Sequence, residues 1–314
     1  MQLKQEVRNF LKKSGIRPKK RLGQNFLIDE HVLERIITAA EVTNDDLVLE
    51  IGAGLGHLTS KLAEVAKRVI AIELDDVLFA ELQRSMGQGG KGARGQEGKT
   101  EIAPLPSCPF AILPLFFPNV ELIKADVLKI ALADLLQSDS REHTKIVANL
   151  PYYITTPILL KILELRLLIQ TCVLMVQEEV AQRIIAPAGN RTYGSLSVVV
   201  NYHAEPEIVL KVPATSFYPR PKVDSALLLL RMRETPKCLV KSEDLFFRVV
   251  RGAFQHRRKT LRNALIHGGL SIPSETLDAA FRKLQLDSQR RGETLSIAEF
   301  ADLANCLYEL GKVN

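Results

Sequence analysis

Leu47-Val-Leu-Glu-Ile-Gly-Ala-Gly-Leu-Gly-His-Leu-Thr59 decides how the rest of the chain is read. A mostly apolar run of strand length stops at Gly52-x-Gly54-x-Gly56 and passes straight into residues with helical spacing. A strand covered on both faces has that texture, because burial on each side removes the polar alternation. Glycines at its end permit a tight turn at the carboxyl edge of a sheet and let a ligand approach the backbone. A dinucleotide-binding turn would more typically be G-x-G-x-x-G, whose spacing seats a pyrophosphate on the helix N-terminus. Here the third glycine comes one residue early. The turn points to a nucleotide-like ligand without naming it.

The same alternation continues outward from this stretch. His57 to Ala66 reads as a helix, Val69 to Glu73 as a strand, Asp76 to Met86 as a helix and Val120 to Ala125 as a strand. Ile146 to Asn149 and Thr171 to Gln177 read as strands flanking a helix over Pro157 to Leu163. Upstream, Leu3, Val7, Phe10 and Leu11 predict a helix over 2–14, and Asp29 is placed to cap a second through about Glu41. Ser195 to Val200 and Ser225 to Arg231 are read as strands that complete the sheet as a hairpin edge. The expected fold class is therefore α/β, a Rossmann-like parallel sheet covered on both faces. Beyond about Thr235 only helical patterns remain. Ser242 precedes one, Ser274 is expected to cap another, and Ser296 with Glu299 forms a capping box before a last helix through Leu310. The expected division is an α/β domain over 1–235 and a small all-helical domain over 236–314. Residues 87–118 hold six Gly and five Pro, a composition that builds no packed element and reads as a flexible insertion.

Composition narrows the class further. Of 314 residues, 46% are hydrophobic and 25% charged, which excludes a disordered, collagen-like or coiled-coil chain. The formal net charge is +6, and its placement matters more than its size. Residues 1–22 hold eight Lys/Arg and one acid, and residues 248–262 hold six and none. Such clusters can attract a phosphate backbone, although a plain solvated face has the same composition. Cys108, Cys172, Cys238 and Cys306 form no C-x-x-C pair, so neither a disulfide framework nor a zinc site is expected, and the compartment should be reducing. His31, His57, His143, His203, His256 and His267 lack metal-ligand spacing, and no metal is expected. No apolar run approaches the roughly 18 residues of a membrane span, and no secretory leader is visible. The expected location is the cytoplasm.

Chemistry concentrates at the strand ends. Glu73 lies 21 residues after Gly52, where an acid can accept hydrogen bonds from ribose hydroxyls. Asp126 ends the next strand, placed to accept from an adenine amino group. Strand-end carboxylates also serve as helix caps, but glycines, Glu73 and Asp126 in this order suit an adenosine without phosphates. That is the order of S-adenosylmethionine-dependent methyltransferases. Asn149-Leu150-Pro151-Tyr152 then ends the fourth strand. The exocyclic amine of a base is a poor nucleophile because its lone pair is delocalised into the ring. The Asn149 side-chain oxygen and the Leu150 carbonyl can each accept one N–H, drawing the nitrogen toward tetrahedral geometry and freeing its lone pair to attack a sulfonium methyl. Pro151 stiffens the turn, and Tyr152 offers a ring for an extruded base.

With these motifs in place, nearly the whole chain resembles the small-subunit ribosomal RNA adenine-N6 dimethyltransferase family. Arg21-Leu-Gly-Gln-Asn-Phe-Leu-Ile-Asp29 is similar to the family's opening motif, and the resemblance implies Asn25 and Leu27 as cofactor contacts alongside Gly52, Glu73, Asp126 and Asn149. Phe217-Tyr-Pro-Arg-Pro-Lys-Val-Asp-Ser225 resembles the late motif, implying Phe217 as a second aromatic wall beside Asn149, Leu150, Pro151 and Tyr152. Phe254-Gln-His-Arg-Arg-Lys-Thr-Leu-Arg262 is similar to the family's basic segment, implying contacts from Arg257, Arg258, Lys259 and Arg262 to rRNA phosphates. The implied activity is dimethylation of N6 on two adjacent adenines of small-subunit rRNA during ribosome biogenesis. S-adenosylmethionine would be bound in the 1–235 domain, and the enzyme would be a monomer. Large-subunit rRNA methylases usually carry Asn-Ile-Pro-Tyr or similar and lack the basic stretch, so the small-subunit reading is favoured. The 87–118 insertion departs from the family pattern. Two rival readings stand beside this one: a non-enzymatic nucleic-acid-binding factor on the same scaffold, and a nicotinamide-dependent oxidoreductase.

Overall fold

Apolar spacing and polar caps set the first elements. In the computed structural model, which describes residues 2–15, 17–19, 22–86, 117–136, 140–270 and 272–311, α1 (Gln2–Ser14) buries Leu3, Val7 and Leu11 along one stripe. The bulk of the Gly/Pro-rich insertion (87–116) and Arg21 lie outside the described residues. A short strand, β1 (Phe26–Leu27), leads to α2 (Glu30–Ala40), which begins where the Asp29 carboxylate accepts the Val32 N–H at 3.4 Å. β2 (Leu47–Ile51) is buried along its whole length. Each of its fully buried leucines and its valine contributes about 1.5–3 kcal/mol by leaving water.

The chain then runs through α3 (His57–Val65), β3 (Arg68–Glu73), α4 (Asp76–Ser85), β4 (Val120–Lys124), α5 (Leu132–Leu136), β5 (Thr144–Asn149) and α6 (Thr155–Glu164). After these come β6 (Thr171–Gln177), α7 (Glu178–Ile185), α8 (Ser195–His203), β7 (Ala204–Val212), β8 (Phe217–Tyr218) and β9 (Ser225–Met232). Seven strands form one sheet in the order β4-β3-β2-β5-β6-β9-β7. From β4 to β6 neighbouring strands are parallel, and β9 pairs antiparallel with β6, Thr171 opposite Arg231. The chain proceeds from β2 to β3 and β4 on one side, then returns to β5 on the other. Loops leaving β2 and β5 therefore diverge, which opens a crevice at their carboxyl ends. β1 and β8 form a separate two-stranded ladder, Leu27 opposite Phe217.

One expected strand is a helix. Ser195 to Val200 forms the first turns of α8, whose Leu196, Ser197, Val198, Val200 and Tyr202 are buried. Its valines favour a strand in isolation. The turn is instead fixed by Ser197, whose hydroxyl accepts the Gly194 N–H at 3.0 Å and donates to the Arg183 carbonyl at 2.5 Å. The strand that ends the sheet is β7, which contains Pro206. Proline is tolerated there because β7 is an edge strand with one unpaired side.

Two compact units result, residues 1–181 with 207–232, and residues 182–206 with 233–314. Residues 182–206, which a boundary near 235 assigns to the α/β domain, fall in the second unit because Tyr193, Val198 and Tyr202 join its apolar cluster with Phe246 and Val249. That unit continues with α9 (Glu243–Gln255), α10 (Leu261–His267), α11 (Ser274–Leu284) and α12 (Ile297–Glu309). Ser242 caps α9 by accepting the Leu245 N–H at 3.2 Å. At α12, Ser296 and Glu299 exchange side-chain and backbone bonds at 3.2 and 2.8 Å. Ser274 does not cap α11; Pro273 occupies the cap position without a side-chain bond, and Ser274 is the first helical residue.

Candidate active site

The turn after β2 needs its glycines. Gly52 sits at φ +81°, and a Cβ on Gly56 (φ +82°) would lie 2.6 Å from Leu82 Cδ1 and 2.8 Å from Met86 Cε. A side chain at either position strains the backbone, and at Gly56 it also makes the Leu82 and Met86 side chains move aside.

Asn25, Leu27, Gly52, Glu73, Asp126 and Asn149 line one cleft at the carboxyl ends of β2 to β5, together with Leu150, Pro151 and Tyr152. Glu73 is 7% exposed and its oxygens are fixed by backbone donors. Oε2 accepts the Gly54 N–H at 2.8 Å, and Oε1 accepts those of Leu74 and Asp75 at 2.9 and 2.8 Å. A carboxylate offers about four acceptor positions, so one remains for a ligand hydroxyl. Burial pushes the Glu73 carboxyl above its ordinary value, with the three N–H donors pulling the other way. Asp126 both lines the cleft and caps its own turn, accepting the Leu128 N–H at 3.0 Å.

The opening segment is latched across this edge. Burial disfavours charge on Asp75, yet Lys19 at 2.6 Å and the Val77 and Leu78 N–H groups hold its carboxyl below the usual range. Gln24 bridges the latch, donating to Asp75 at 3.2 Å and accepting the Lys19 N–H at 2.7 Å. Asn25 is thereby brought to Asn149, whose Nδ2 donates to the Asn25 carbonyl at 3.3 Å. That bond fixes the amide's orientation and leaves Oδ1 as its acceptor end. The Leu150 N–H is bound to the Met175 carbonyl at 3.2 Å. Its own carbonyl has no protein donor among the described residues.

Tyr152 is half-buried in the cleft wall, and its hydroxyl lies 2.6 Å from Ser225 Oγ at the start of β9. Burial raises its phenol above the ordinary value, with the Ser225 bond opposing. Ser225, Tyr153 and Glu50 are site residues that sequence reading did not assign. The signal for Glu50 was present: an acid inside an otherwise apolar strand.

Two expectations change. Phe217 is not among the residues that line the cleft; it is 2% exposed in the hydrophobic core, opposite Leu27 in the β1–β8 ladder. The late motif bears on the cleft through Ser225, which is itself buried and holds the Tyr152 hydroxyl. Within the second unit the basic segment divides. Arg257 donates to the Arg191 and Tyr193 carbonyls at 2.7 and 2.9 Å, and Arg262 binds Asp278 through two bonds of 2.6 and 2.8 Å. Arg258 and Lys259 are exposed in the turn between α9 and α10. Among the described residues no group of three His, Cys, Asp or Glu could hold a metal ion, and no helix is long and apolar enough to cross a membrane.

The family model for ribosomal RNA adenine dimethylase matches residues 15–92 and 114–309, and the gap falls inside the Gly/Pro-rich insertion. A ribosomal RNA small subunit methyltransferase A from Moorella thermoacetica is 44% identical over 304 residues, covering 95% of each chain. One from Alkaliphilus oremlandii is 39% identical over 303 residues, covering 96% of each. Among solved structures, a dimethyladenosine transferase from Plasmodium falciparum superposes with TM-score 0.71 at 26% identity, covering 92% of this chain and 99% of that one. The 23S rRNA methyltransferase ErmE gives TM-score 0.61 at 25% identity, covering 90% and 100%.

Proposed function

The chain belongs to the ribosomal RNA adenine dimethylase family and is an S-adenosylmethionine-dependent methyltransferase, and from that premise we propose that it dimethylates N6 of adjacent adenines in small-subunit rRNA during ribosome biogenesis. The observation that carries this reading is the Asn149 amide, turned by the Asn25 carbonyl so that Oδ1 is its acceptor end, next to the Leu150 carbonyl. Two acceptors side by side match the two N–H groups of an exocyclic amine. The near-complete match to small-subunit relatives supports that substrate over large-subunit rRNA.

The residues present fit the cofactor. Gly52 turns the backbone away with no side chain, Leu27 supplies an apolar face, Glu73 has acceptor capacity for ribose, and Asp126 lies on the next strand end. S-adenosylmethionine supplies an electrophilic methyl group on a sulfonium sulfur. Asn149 and Leu150 hold the target amine and pull its lone pair out of conjugation. Tyr152, its hydroxyl held by Ser225, presents a fixed ring on which an extruded base can stack. The proton lost from the methylated nitrogen needs no buried base, because an N-methylated adeninium is acidic enough to release it to water. Arg258 and Lys259 supply phosphate contacts.

Methyl incorporation into small-subunit particles lacking the modification tests the proposal, with mapping of the labelled adenines. Transfer by the wild type and its loss in Asn149→Ala is the expected result. RNA binding without transfer by either protein would instead support a non-enzymatic binding factor.

A further inference from the structure

One aromatic ring stands at the mouth of the cleft with most of its surface in water. Tyr153 lines the cleft beside Tyr152, yet it is 54% exposed. The two tyrosines share a single 3-10 turn, Tyr152–Ile154. With three residues per turn, successive side chains point about 120° apart, so the two rings meet different neighbours. Tyr152 is held from β9 by Ser225. Tyr153 lies against the opening segment, where a Cβ built on Gly23 (φ +59°) would be 3.3 Å from Tyr153 Cδ1 and 3.3 Å from Pro151 Cβ. Glycine there lets the backbone come up to the ring's edge. The turn itself is fastened, because the Pro151 carbonyl accepts the Ile154 N–H and the Thr155 hydroxyl, each at 3.2 Å. A solvated tyrosine needs no such seat. The Tyr153 hydroxyl has no hydrogen-bond partner among the described residues, so the ring is what the position presents.

The chemistry of the cleft indicates what the ring meets. Among the described residues lining it, three are acids and none is lysine or arginine. A phosphate finds no counter-charge there, and stacking is the contact the mouth offers to RNA. Drawing one base out of a strand also strips a stacking partner from the base beside it. That neighbour, joined to the target by one phosphodiester, is left at the mouth with a bare face. Unstacked bases of single-stranded RNA are taken up on aromatic side chains.

We propose that Tyr153 is a second base platform, which stacks the nucleotide next to the adenine held at Asn149 and Tyr152. The proposal rests on the reading of the chain as an rRNA adenine methyltransferase and adds a subsite to it. Stacking uses the π-face of the base and not its edge. The platform therefore accepts an adenine before or after methylation of N6, and either of two adjacent adenines can wait on Tyr153 while the other is in the cleft. It discriminates by the size of the face, a purine above a pyrimidine and either above no base.

The test uses small-subunit particles reconstituted with unmodified rRNA that carries an adenine, a uridine or an abasic residue beside the target adenine. On the adenine-flanked particle, Tyr153→Ala should raise KM by about fivefold to twentyfold and leave kcat within about twofold. Tyr153→Phe, which keeps the ring, should behave as wild type. With the abasic neighbour, wild type should lose as much as Tyr153→Ala does on the intact particle, and Tyr153→Ala should lose nothing further. Uridine should fall between. An equal penalty for Tyr153→Ala on intact and abasic particles would overturn the proposal, as would a fall in kcat with KM unchanged. A wild type indifferent to removal of the neighbouring base would overturn it even if Tyr153→Ala fails to fold. Those results leave methyl transfer by the wild type in place, whereas no transfer to the intact particle would remove the activity reading and the platform with it.

Discussion

At the cleft, charge is negative, buried and set by backbone position; in the turn around Arg258, it is positive, exposed and borne on long side chains. Gly52, Glu73, Asp126 and Asn149 stand at the end of a strand or just beyond one, so sheet register fixes their place. The basic segment has no such frame, and two of its four cations are bound to partners within their own unit. A site that must orient one atom needs rigid supports, whereas one that must attract a polyanion needs only net charge and reach. Effects of substitution should therefore be steep and specific in the first region, and shallow and salt-dependent in the second.

The steepest test is Asn149→Ala. Loss of a preorganised group aimed at the reacting atom should cut methyl transfer by about 100-fold or more, with RNA affinity unchanged, measured in single-turnover assays. Retained activity would place the chemistry elsewhere. Glu73→Ala removes a hydrogen bond from a charged acceptor to ribose and should weaken cofactor binding by about 10- to 100-fold in a direct titration. It also strips three backbone N–H groups of their acceptor, so the variant should melt earlier. On the basic side, replacing Arg258 and Lys259 together by alanine should lower the slope of log affinity for rRNA against log salt by about two. An unchanged slope removes that turn from the interface.

Smaller effects sharpen the contrast. Because Glu50 rises from 4.5 to about 8 in the folded chain, the unfolded chain gives up this proton first as pH rises. Its contribution to stability is full below about 4.5 and is lost progressively up to about 8. Glu50→Gln should therefore melt higher than wild type at pH 8, by roughly 5 °C, and close to it at pH 5. The smallest effect expected is that of Arg262→Ala. It should lower the melting temperature by only about 1–2 °C, since its ion pair with Asp278 is open to water, and leave the salt slope untouched. A changed slope would show that Arg262 exchanges Asp278 for phosphate.

Much of the cleft was legible because its residues obey local rules. Gly52, Glu73, Asp126 and Asn149 follow strand-length segments that alternate with helical ones, a pattern that implies a parallel sheet, and parallel strands bring their carboxyl ends to one rim. What escaped depends on tertiary contacts. Ser195 to Val200 has strand-like valines, but Ser197 ties the segment into a helix through the Arg183 carbonyl. β7 was hidden by Pro206, which only an edge position excuses. Phe217 was assigned a ligand wall, but pairing across β1–β8 turns it into the core, and the residue that supports Tyr152 is Ser225. The positive charge of the segment around Arg257 was plain, while its two internal attachments depend on partners remote in sequence, Arg191 with Tyr193 and Asp278.

The ladder between Leu27 and Phe217 has a temporal consequence. Asn25 is held at the cleft by a stretch of backbone whose pairing partner lies about 190 residues downstream. During translation the strand-end loops emerge first, and the clamp that seats the opening segment follows only after residue 217 has cleared the exit tunnel. A nascent chain halted near residue 200 would carry the glycine turn, both acids and the Asn-Leu-Pro-Tyr corner. It would hold the Lys19–Asp75 latch but still lack the β1–β8 pairing that fixes the backbone beyond Asn25, so the opening segment is fully fastened only when the catalytic unit is almost completely made.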